Sequence, residues 1–567
     1  MASIQRHIVR GRAYYSVVES RRINGKPRPV IVQYLGSAEK VLNLVQAHQA
    51  AQRPKEVYVR TFGAVAALFA LARELDLIGL IDAHLPKRAQ GPSVGQYLVL
   101  AAINRCLAPT SKRGFWAWYH ATALERLLPL RPADLTSQRF WDHMSRVTPE
   151  ALRTIETELA RRVVDRFGID LGCLSFDCTN FDTFIDTATP AQLPQRGHAK
   201  SKRTDLRIVG LALLVSTDFH VPLFSHLYAG NQPDARTFAQ VLDALVERYH
   251  ALATDLEDIT LVFDKGNNAE ATQQRLDRTP FHFVGSLVPT QHVDLLALPR
   301  QSFQSCDDPR LKGVSALRTS KLLYGKARTV VVVCSPTLFA KQVRGIEQHL
   351  AKRRRQLRQL QAKVRRAAQP GARGKGYTVK GLRKTVDGLL HGQHLKSLLR
   401  YEITTGAHGQ PSVRYWLDAQ AYADLKERVL GKRILFTDQD GWSTEQIILA
   451  YRAQHHVEAA FKQMKHPAFG GWEPMFHWTD QKIRVHAFYC VLALLLVSLL
   501  HRQVIKAGLR LSLVAVLESL AGLHEVLALY PPAGGRGRPR AETILTHKTP
   551  IQQQLFDHLR LERYMVT

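Results

Sequence analysis

The sequence predicts an α/β protein with a mixed central sheet, a helical domain before that sheet and an α+β insertion within it. Between residues 171 and 288, short apolar runs alternate with amphipathic segments, the order typical of strands separated by helices. The connection from Val215 to Val221 is too short for a crossover helix, so we expect an antiparallel pair and a mixed sheet. Apolar residues at helical spacing fill residues 60–165. A chain of 567 residues has room for about three to five domains.

The N-terminal region, residues 1–58, predicts a β-hairpin. Two strand-like runs, AYYSVVES and INGKPRPVIVQYLG, are divided by the turn-forming residues Asn24, Gly25 and Pro27. The next region, residues 59–168, predicts a domain of several short helices. Its segments VAALFALARELDLIGLI and SVGQYLVLAAINRCL repeat apolar residues at the spacing of one helix face.

The predicted α/β core begins near residue 171 with the run LGCLSFDCTNF. Two further strands are expected at 206–216 and 221–230, followed by an amphipathic helix over 234–250. The run ITLVFDKGNN predicts a buried strand that ends at an aspartate, and FHFVGSLV predicts another strand after a short helix. We assign the core to residues 169–300 and 441–510, on either side of the insertion.

Residues 301–440 predict the insertion domain, which carries a very basic helical hairpin. Residues 341–384 contain 15 Lys or Arg and one acid, Glu347. Apolar residues recur every seven positions there, at Val343, Leu350, Leu357 and Val364. A run of like charge is most often a solvated face. The near absence of acids favours contact with nucleic acid instead.

Composition and charge narrow the function classes. Hydrophobic residues make up 45% of the chain, which excludes a wholly disordered protein, and the net charge of +30 favours nucleic acid as partner. The six cysteines form no C-x-x-C pair, so we do not expect a zinc ribbon. Six cysteines in 567 residues are too few for a disulfide scaffold, which indicates a reducing compartment.

The apolar run Val485–Leu500 is shorter than the roughly 20 residues of a membrane span, so it predicts a buried core helix. Residues 511–567 form the predicted C-terminal tail.

Three acidic residues are candidates for metal-dependent chemistry. Asp177 and Asp264 end apolar strands, where an aspartate is costly unless it is paired or metal-bound. Hard divalent cations such as Mg²⁺ prefer carboxylate oxygens, and a pair of ions can promote phosphoryl transfer. Glu458 lies in a predicted helix over 443–465. Seven-residue spacing would place Tyr451, Glu458 and Lys465 on one face of that helix, although the same spacing fits an ordinary amphipathic helix.

These pieces together resemble the DDE transposases of bacterial insertion sequences, in the group with a Tyr…Arg…Glu…Lys helix after a long insertion. The resemblance extends over most of the chain. It rests on the order of SFDCTNF, GHAKSKRTDLRIVGLALL, PLFSHLYAGNQPDARTF, LVFDKGNN and YRAQHHVEAAFKQMK.

The resemblance implies a ribonuclease-H-like catalytic core with Asp177, Asp264 and Glu458 as catalytic and metal-binding acids. It implies two Mg²⁺ or Mn²⁺ ions, hydrolysis at inverted-repeat ends and strand transfer of the 3′-OH into target DNA. Tyr451 and Lys465 match the ends of the helix motif. The family's arginine position is occupied by Gln454, with Arg452 nearby.

Further basic residues are candidates for DNA binding. Lys200, Lys202 and Arg203 lie in a loop near the first acid and would grip phosphates, or else form a solvated turn. The segment from Arg536 to Pro539 has the Arg-Gly-Arg-Pro sequence of an AT-hook, but so short a motif occurs often by chance, and a Pro/Gly-rich linker is the favoured interpretation. Together with Tyr451, Arg452 and Lys465, the loop residues Lys200, Lys202 and Arg203 form the predicted DNA contacts.

The expected partners are transposon ends and target DNA, in a homodimer or larger synaptic complex, with no membrane association. The expected location is the bacterial cytoplasm, in association with the nucleoid. Two other functions stay open on the sequence alone. One is a catalytically inactive, sequence-specific DNA-binding protein, and the other is a metal-dependent nuclease that does not transpose.

Overall fold

A computed structural model gives the fold of the chain, which divides into two units. Unit 1 comprises Met1–Ile155, Gln463–Met475 and Gln481–Thr567, and unit 2 comprises Glu156–Lys462 and Phe476–Asp480. The residues that the structure describes are 2–51, 53–86, 91–186, 188–250, 259–369, 376–406, 409–532 and 538–566.

Unit 1 begins with an antiparallel sheet of three strands, β1 (Ala2–Val9), β2 (Arg12–Ile23) and β3 (Lys26–Ser37), followed by α1 (Ala38–Ala51). Asn24 and Gly25 join β2 to β3 with φ values of 51° and 77°. Positive φ at both positions is what a two-residue hairpin turn requires, which explains the Asn-Gly pair. The predicted hairpin is therefore confirmed, and β1 adds a third strand to it.

Helices fill most of the region that follows, as the apolar spacing predicts. Helix α4 begins with a capping box between Ser93 and Gln96, and its buried side chains run from Val94 to Cys106. Strand β4 was not predicted, because its partner lies in the C-terminal part of the chain. The elements are β4 (Glu56–Thr61), α2 (Gly63–Glu74), α3 (Leu77–Ala83), α4 (Val94–Leu107), α5 (Phe115–His120), α6 (Leu124–Leu127), α7 (Ser137–Met144) and α8 (Pro149–Phe167).

Unit 2 is built on a mixed sheet, as predicted. Strands β5, β6 and β7 are antiparallel neighbours, β8 runs parallel to β5, and β9 runs parallel to β8. The elements are β5 (Cys173–Thr183), β6 (Arg207–Ser216), β7 (Pro222–Ala229), α9 (Asp234–His250), β8 (Thr260–Phe263), α10 (Glu270–Leu276), β9 (His282–Ser286) and α11 (Val293–Leu296).

The same sheet continues into residues 301–440. Its order over the described residues is β10-β11-β12-β15-β9-β8-β5-β6-β7, so strands on both sides of the basic helices join the core sheet. The basic helices α12 and α13 pack with β13 and β14 around a separate apolar cluster that includes Leu357, Leu382 and Val413. The elements are β10 (Gln304–Ser305), β11 (Ser315–Leu323), β12 (Lys326–Cys334), α12 (Pro336–Ala367), α13 (Val379–Leu389), α14 (Leu395–Leu398), β13 (Leu399–Thr405), β14 (Pro411–Leu417), α15 (Ala419–Arg428) and β15 (Lys432–Thr437).

The C-terminal part carries the long apolar helix α18. It is long and apolar enough to cross a membrane, but most of its apolar side chains are buried within the protein, as expected for a core helix. Strand β16 pairs with both β4 and β17. Arg536 and Gly537 of the AT-hook-like segment lie outside the described residues. The elements are α16 (Thr444–Arg452), α17 (His455–Met464), α18 (Asp480–Lys506), α19 (Leu513–Ala521), β16 (His524–Tyr530), β17 (Arg540–Leu545) and α20 (Pro550–His558).

Candidate active site

Asp177, within β5, and Asp264, directly after β8, lie level with each other because these two strands are parallel neighbours. Ser175 of β5 pairs with Val262 of β8, and each aspartate lies two residues further along its strand direction. Because residues i and i+2 share a face of a strand, both carboxylates lie on the face that carries Ser175 and Val262. The sheet register thus brings together two acids that are 87 positions apart in the sequence.

Asp264 is held by hydrogen bonds from side chains on two other elements. Its Oδ1 accepts from Ser286 Oγ at 2.8 Å and lies 3.0 Å from the Tyr451 hydroxyl. Burial acts to raise the pKa of Asp264, but the bonds from the Lys265 backbone N–H, Ser286 and Tyr451 outweigh it. The pKa of Asp264 therefore falls below its ordinary value, and the group is a carboxylate at neutral pH.

Asp177 has the opposite electrostatic environment. Burial raises the pKa of its carboxyl to about 6, and the nearby carboxylates of Asp234 and Asp264 add to the increase. The Lys200 ammonium and a bond from the Cys178 backbone N–H, at 2.8 Å from Asp177 Oδ1, oppose it. Two neighbouring acids thus have pKa values displaced in opposite directions, an arrangement that is frequent in active sites.

Asp234 is a third carboxylate beside Asp177, and it was not among the site residues predicted from the sequence. It is the first residue of α9, and its Oδ1 accepts a hydrogen bond from the Tyr228 hydroxyl at 3.0 Å. Its effect on the pKa of Asp177 is larger than that of Asp264. The available sequence signal was an acid at a helix start in a segment that already resembled the family.

Glu458 occupies a different environment from the two aspartates. It lies in the first turn of α17 and is exposed to solvent. Among the described residues, no group of three or more His, Cys, Asp or Glu side chains is close enough to hold a metal ion. The structure therefore brings Asp177 and Asp264 together and does not bring Glu458 into a metal-binding group with them.

The single helix predicted over 443–465 is wrong, because it breaks between α16 and α17. At the break, Gln454 N–H bonds to Tyr451 O and His456 N–H bonds to Ala453 O, both of which are three-residue steps. The Ala453 carbonyl also accepts from Ser175 Oγ at 3.0 Å. A three-residue step completes a turn in about 3.0 residues, whereas an α-helical turn takes about 3.6. Two turns across the break therefore contain about six residues instead of about seven.

That phase shift changes which residues share a face. Tyr451, Gln454 and Val457 are all buried, whereas Glu458 is exposed. The prediction that Tyr451 and Glu458 lie on one face is therefore wrong. Tyr451 is only 5% exposed and its hydroxyl lies 3.0 Å from Asp264 Oδ1, so its side chain is turned towards that acid and away from solvent.

Comparison with known proteins identifies the family. Residues 182–496 match the family described as Transposase DDE domain. The chain belongs to this family. The matched segment includes Asp264 and Glu458, and Asp177 lies five positions before it. The predicted α/β fold of a DDE transposase is confirmed, and the family implies a ribonuclease-H-like core.

Two other comparisons add little. A piggyBac transposase synaptic complex with hairpin DNA is similar at 8% sequence identity, with 82% of each chain covered and a TM-score of 0.35. A score this low supports no argument about the transposase described here. No curated protein matches the chain.

The predicted basic contacts of this DDE transposase lie in varied environments. The ammonium of Lys200 donates to the Cys178 carbonyl, next to Asp177, and Lys202 is exposed with φ of 63°. Arg203 Nε donates to Asp205 at 2.8 Å, so part of its charge is paired within the loop. The other two are Arg452, whose Nη1 donates to the Arg310 carbonyl at 2.9 Å, and Lys465, which is exposed directly after α17.

Proposed function

We propose that this DDE transposase cuts DNA at the inverted-repeat ends of its own element and transfers the freed 3′-OH into target DNA. The catalytic acids in this proposal are Asp177, Asp264 and Glu458. The observation that carries it is the level placement of Asp177 and Asp264, with the pKa of Asp177 raised to about 6 by burial and neighbouring acids. A half-buried carboxylate pair of this kind is costly unless a cation neutralises it.

The donor set fits Mg²⁺ or Mn²⁺, because both aspartates offer the oxygen ligands that hard divalent cations prefer. Asp177 and Asp264 would hold the metal, with Glu458 as the third ligand. Bound as a pair, such ions supply activation of the attacking oxygen and stabilisation of the leaving oxygen.

The remaining site residues have positioning roles in the proposal. Ser286 and Tyr451 fix the orientation of the Asp264 carboxylate and keep it ionised. Lys200 lowers the pKa of Asp177 and so favours the deprotonated form. Glu458 would join the pair by reorientation of α17 at the break around Ala453 and Gln454.

In the proposal, DNA is bound by two sets of basic residues: the individual exposed cations predicted from the sequence, and the basic insertion. The first set comprises Lys200, Lys202, Arg203, Arg452 and Lys465. Helices α12 and α13 supply the second, since residues 341–384 carry 15 Lys or Arg against one acid. Two element ends must be held together, so the working species would be a homodimer or larger synaptic complex. It would act in a bacterial cytoplasm, on the nucleoid, as the transposase of an insertion sequence.

The test is cleavage of end-labelled DNA that carries the terminal repeat, in Mg²⁺ or Mn²⁺, followed by a strand-transfer assay. We expect wild-type cleavage and joining. Asp177→Ala, Asp264→Ala and Glu458→Ala should each abolish cleavage and retain DNA binding. Asp165→Ala, at an exposed position of α8, is the matched control and should cleave normally.

Three outcomes would contradict the proposal. Full cleavage by any one of the three acid variants would remove that residue from the catalytic set. Binding of the repeat without cleavage by the wild type would indicate an inactive DNA-binding protein. Cleavage without repeat preference or joining would indicate a nuclease.

A further inference from the structure

The hairpin of β2 and β3 projects beyond its neighbouring strand. Over the described residues, strand β1 pairs with β2 from Arg12 to Glu19, and the β2–β3 pairing continues through Ser20 opposite Pro29 to Ile23 opposite Lys26. Residues 20–29 therefore form a two-stranded ribbon tip, and all ten are exposed. A ribbon of this width is one of the elements that the major groove of B-DNA admits.

The ribbon tip is densely cationic. Four of its residues are basic and none is acidic, and the basic residues are Arg21, Arg22, Lys26 and Arg28. Arg21 lies directly opposite Arg28 in the strand register. Like charges directly opposite each other destabilise an antiparallel pair, so this placement is unfavourable for folding. If the ribbon tip were only a solvated strand pair, opposite charges at these two positions would make it more stable.

The edge of the ribbon is also protected against pairing with another strand. Pro27 and Pro29 alternate along β3 and have no N–H to donate, so this stretch of the edge offers few donors to an added strand. Glu19, at the base of the tip, forms an exposed ion pair with Arg21 at 3.2 Å. The geometry thus disfavours strand addition by a protein partner. The exposed basic residues of the ribbon tip suit a polyanionic partner instead.

We infer that the ribbon tip, residues 20–29, binds the major groove of duplex DNA. This inference rests on the proposed function, because that function identifies the polyanion as DNA. It adds a DNA contact that is far along the sequence from the acids and the basic insertion. The cations contact phosphates or base edges along the groove, and the Asn24–Gly25 turn keeps the tip narrow.

The test compares full-length wild type with the ribbon variant Arg21→Ala/Arg28→Ala, by fluorescence anisotropy with a 30-bp duplex over a range of salt. We expect binding to weaken about tenfold or more, and the slope of log Kd against log salt to fall by about 2. The matched control, Lys506→Ala/Arg510→Ala, also removes two exposed charges from unit 1 and should bind within about twofold of wild type.

A second variant guards against misfolding. Arg21→Lys/Arg28→Lys keeps both charges, so it should retain the wild-type salt slope. An alanine variant that binds duplex DNA with the affinity and slope of the control overturns the inference. Equal loss in the lysine and alanine variants overturns the charge argument. If the alanine variant loses binding only to vesicles of phosphatidylserine and phosphatidylcholine, and binds duplex DNA like the wild type, the ribbon tip contacts a lipid surface and the inference is overturned.

End cleavage measured in parallel separates the two proposals. Wild-type cleavage with unaltered binding by the ribbon variant refutes the ribbon site alone. Weakened duplex binding by the ribbon variant, with no cleavage by the wild type, supports the ribbon site and refutes the proposed catalytic function.

Discussion

Replacing Asp177 by asparagine should stabilise the metal-free protein while removing its activity. The pKa of Asp177 rises from 3.8 to about 6 in the fold, which means that folding disfavours the charged form. At about 1.4 kcal/mol per pKa unit, the cost of the carboxylate is on the order of 3 kcal/mol at neutral pH. The asparagine side chain has nearly the same shape and carries no charge, so it avoids most of that cost.

The sign of the pH dependence follows from the raised pKa. The folded protein binds more protons than the unfolded chain between the two pKa values, so stability falls as pH rises from about 4 to about 6. The asparagine variant should therefore exceed the wild type in stability at pH 7 and match it below the ordinary pKa of an aspartate.

The assay is urea unfolding in EDTA at several pH values, with Asp165→Asn as the exposed control. Divalent cations should stabilise the wild type, by about 2.7 kcal/mol at a hundredfold excess over Kd, and should not stabilise the asparagine variant. A variant that is less stable than wild type at pH 7 in EDTA would refute the electrostatic argument. So would an equal response of both proteins to Mn²⁺.

Three further variants test the surroundings of the acid pair. Tyr451→Phe removes a donor to Asp264 and should cost about 1 kcal/mol of unfolding free energy at pH 7. Because the pKa of Asp264 is lowered, this cost should shrink as acid protonates the carboxylate, and a constant loss at all pH values would contradict the assignment. Lys200→Met should raise the pKa of Asp177 further, so calorimetric Mn²⁺ binding should require higher pH than in the wild type; an unchanged pH dependence would remove Lys200 from the site. Ser175→Ala should destabilise unit 2 by about 1 kcal/mol in urea unfolding, and an unaltered stability would show that its bond at the helix break contributes nothing.

Local patterns in the sequence predicted much of the fold. The Asn24–Gly25 turn carries its own backbone preference, and the alternating apolar runs of the core already show which segments are strands. Asp264 could be placed directly after β8 for the same reason. The prediction that Asp177 ends its strand is wrong, because β5 continues from Cys173 to Thr183 in its pairing with β6. The level arrangement of the two aspartates depends on the parallel register of β5 and β8, which the sequence suggests only through the resemblance to a family.

Non-local contacts decided the features that the sequence did not reveal. The break between α16 and α17 places the Ala453 carbonyl against Ser175 Oγ, 278 positions away, and no local signal marks it. A regular helix was the reasonable expectation for this segment, and it assigned Tyr451 to the wrong face. Strand β4 was missed for the same reason, because it pairs with β16 near the other end of the chain.

The acid pair as a metal-binding site is most directly tested by diffraction from crystals soaked in MnCl₂. We predict an anomalous difference peak in contact with the carboxylates of both Asp177 and Asp264 in the wild type, and its loss in Asp177→Asn crystals. Manganese that binds the wild-type protein only at other side chains, under conditions in which the enzyme cleaves DNA, would contradict the assignment of these two aspartates.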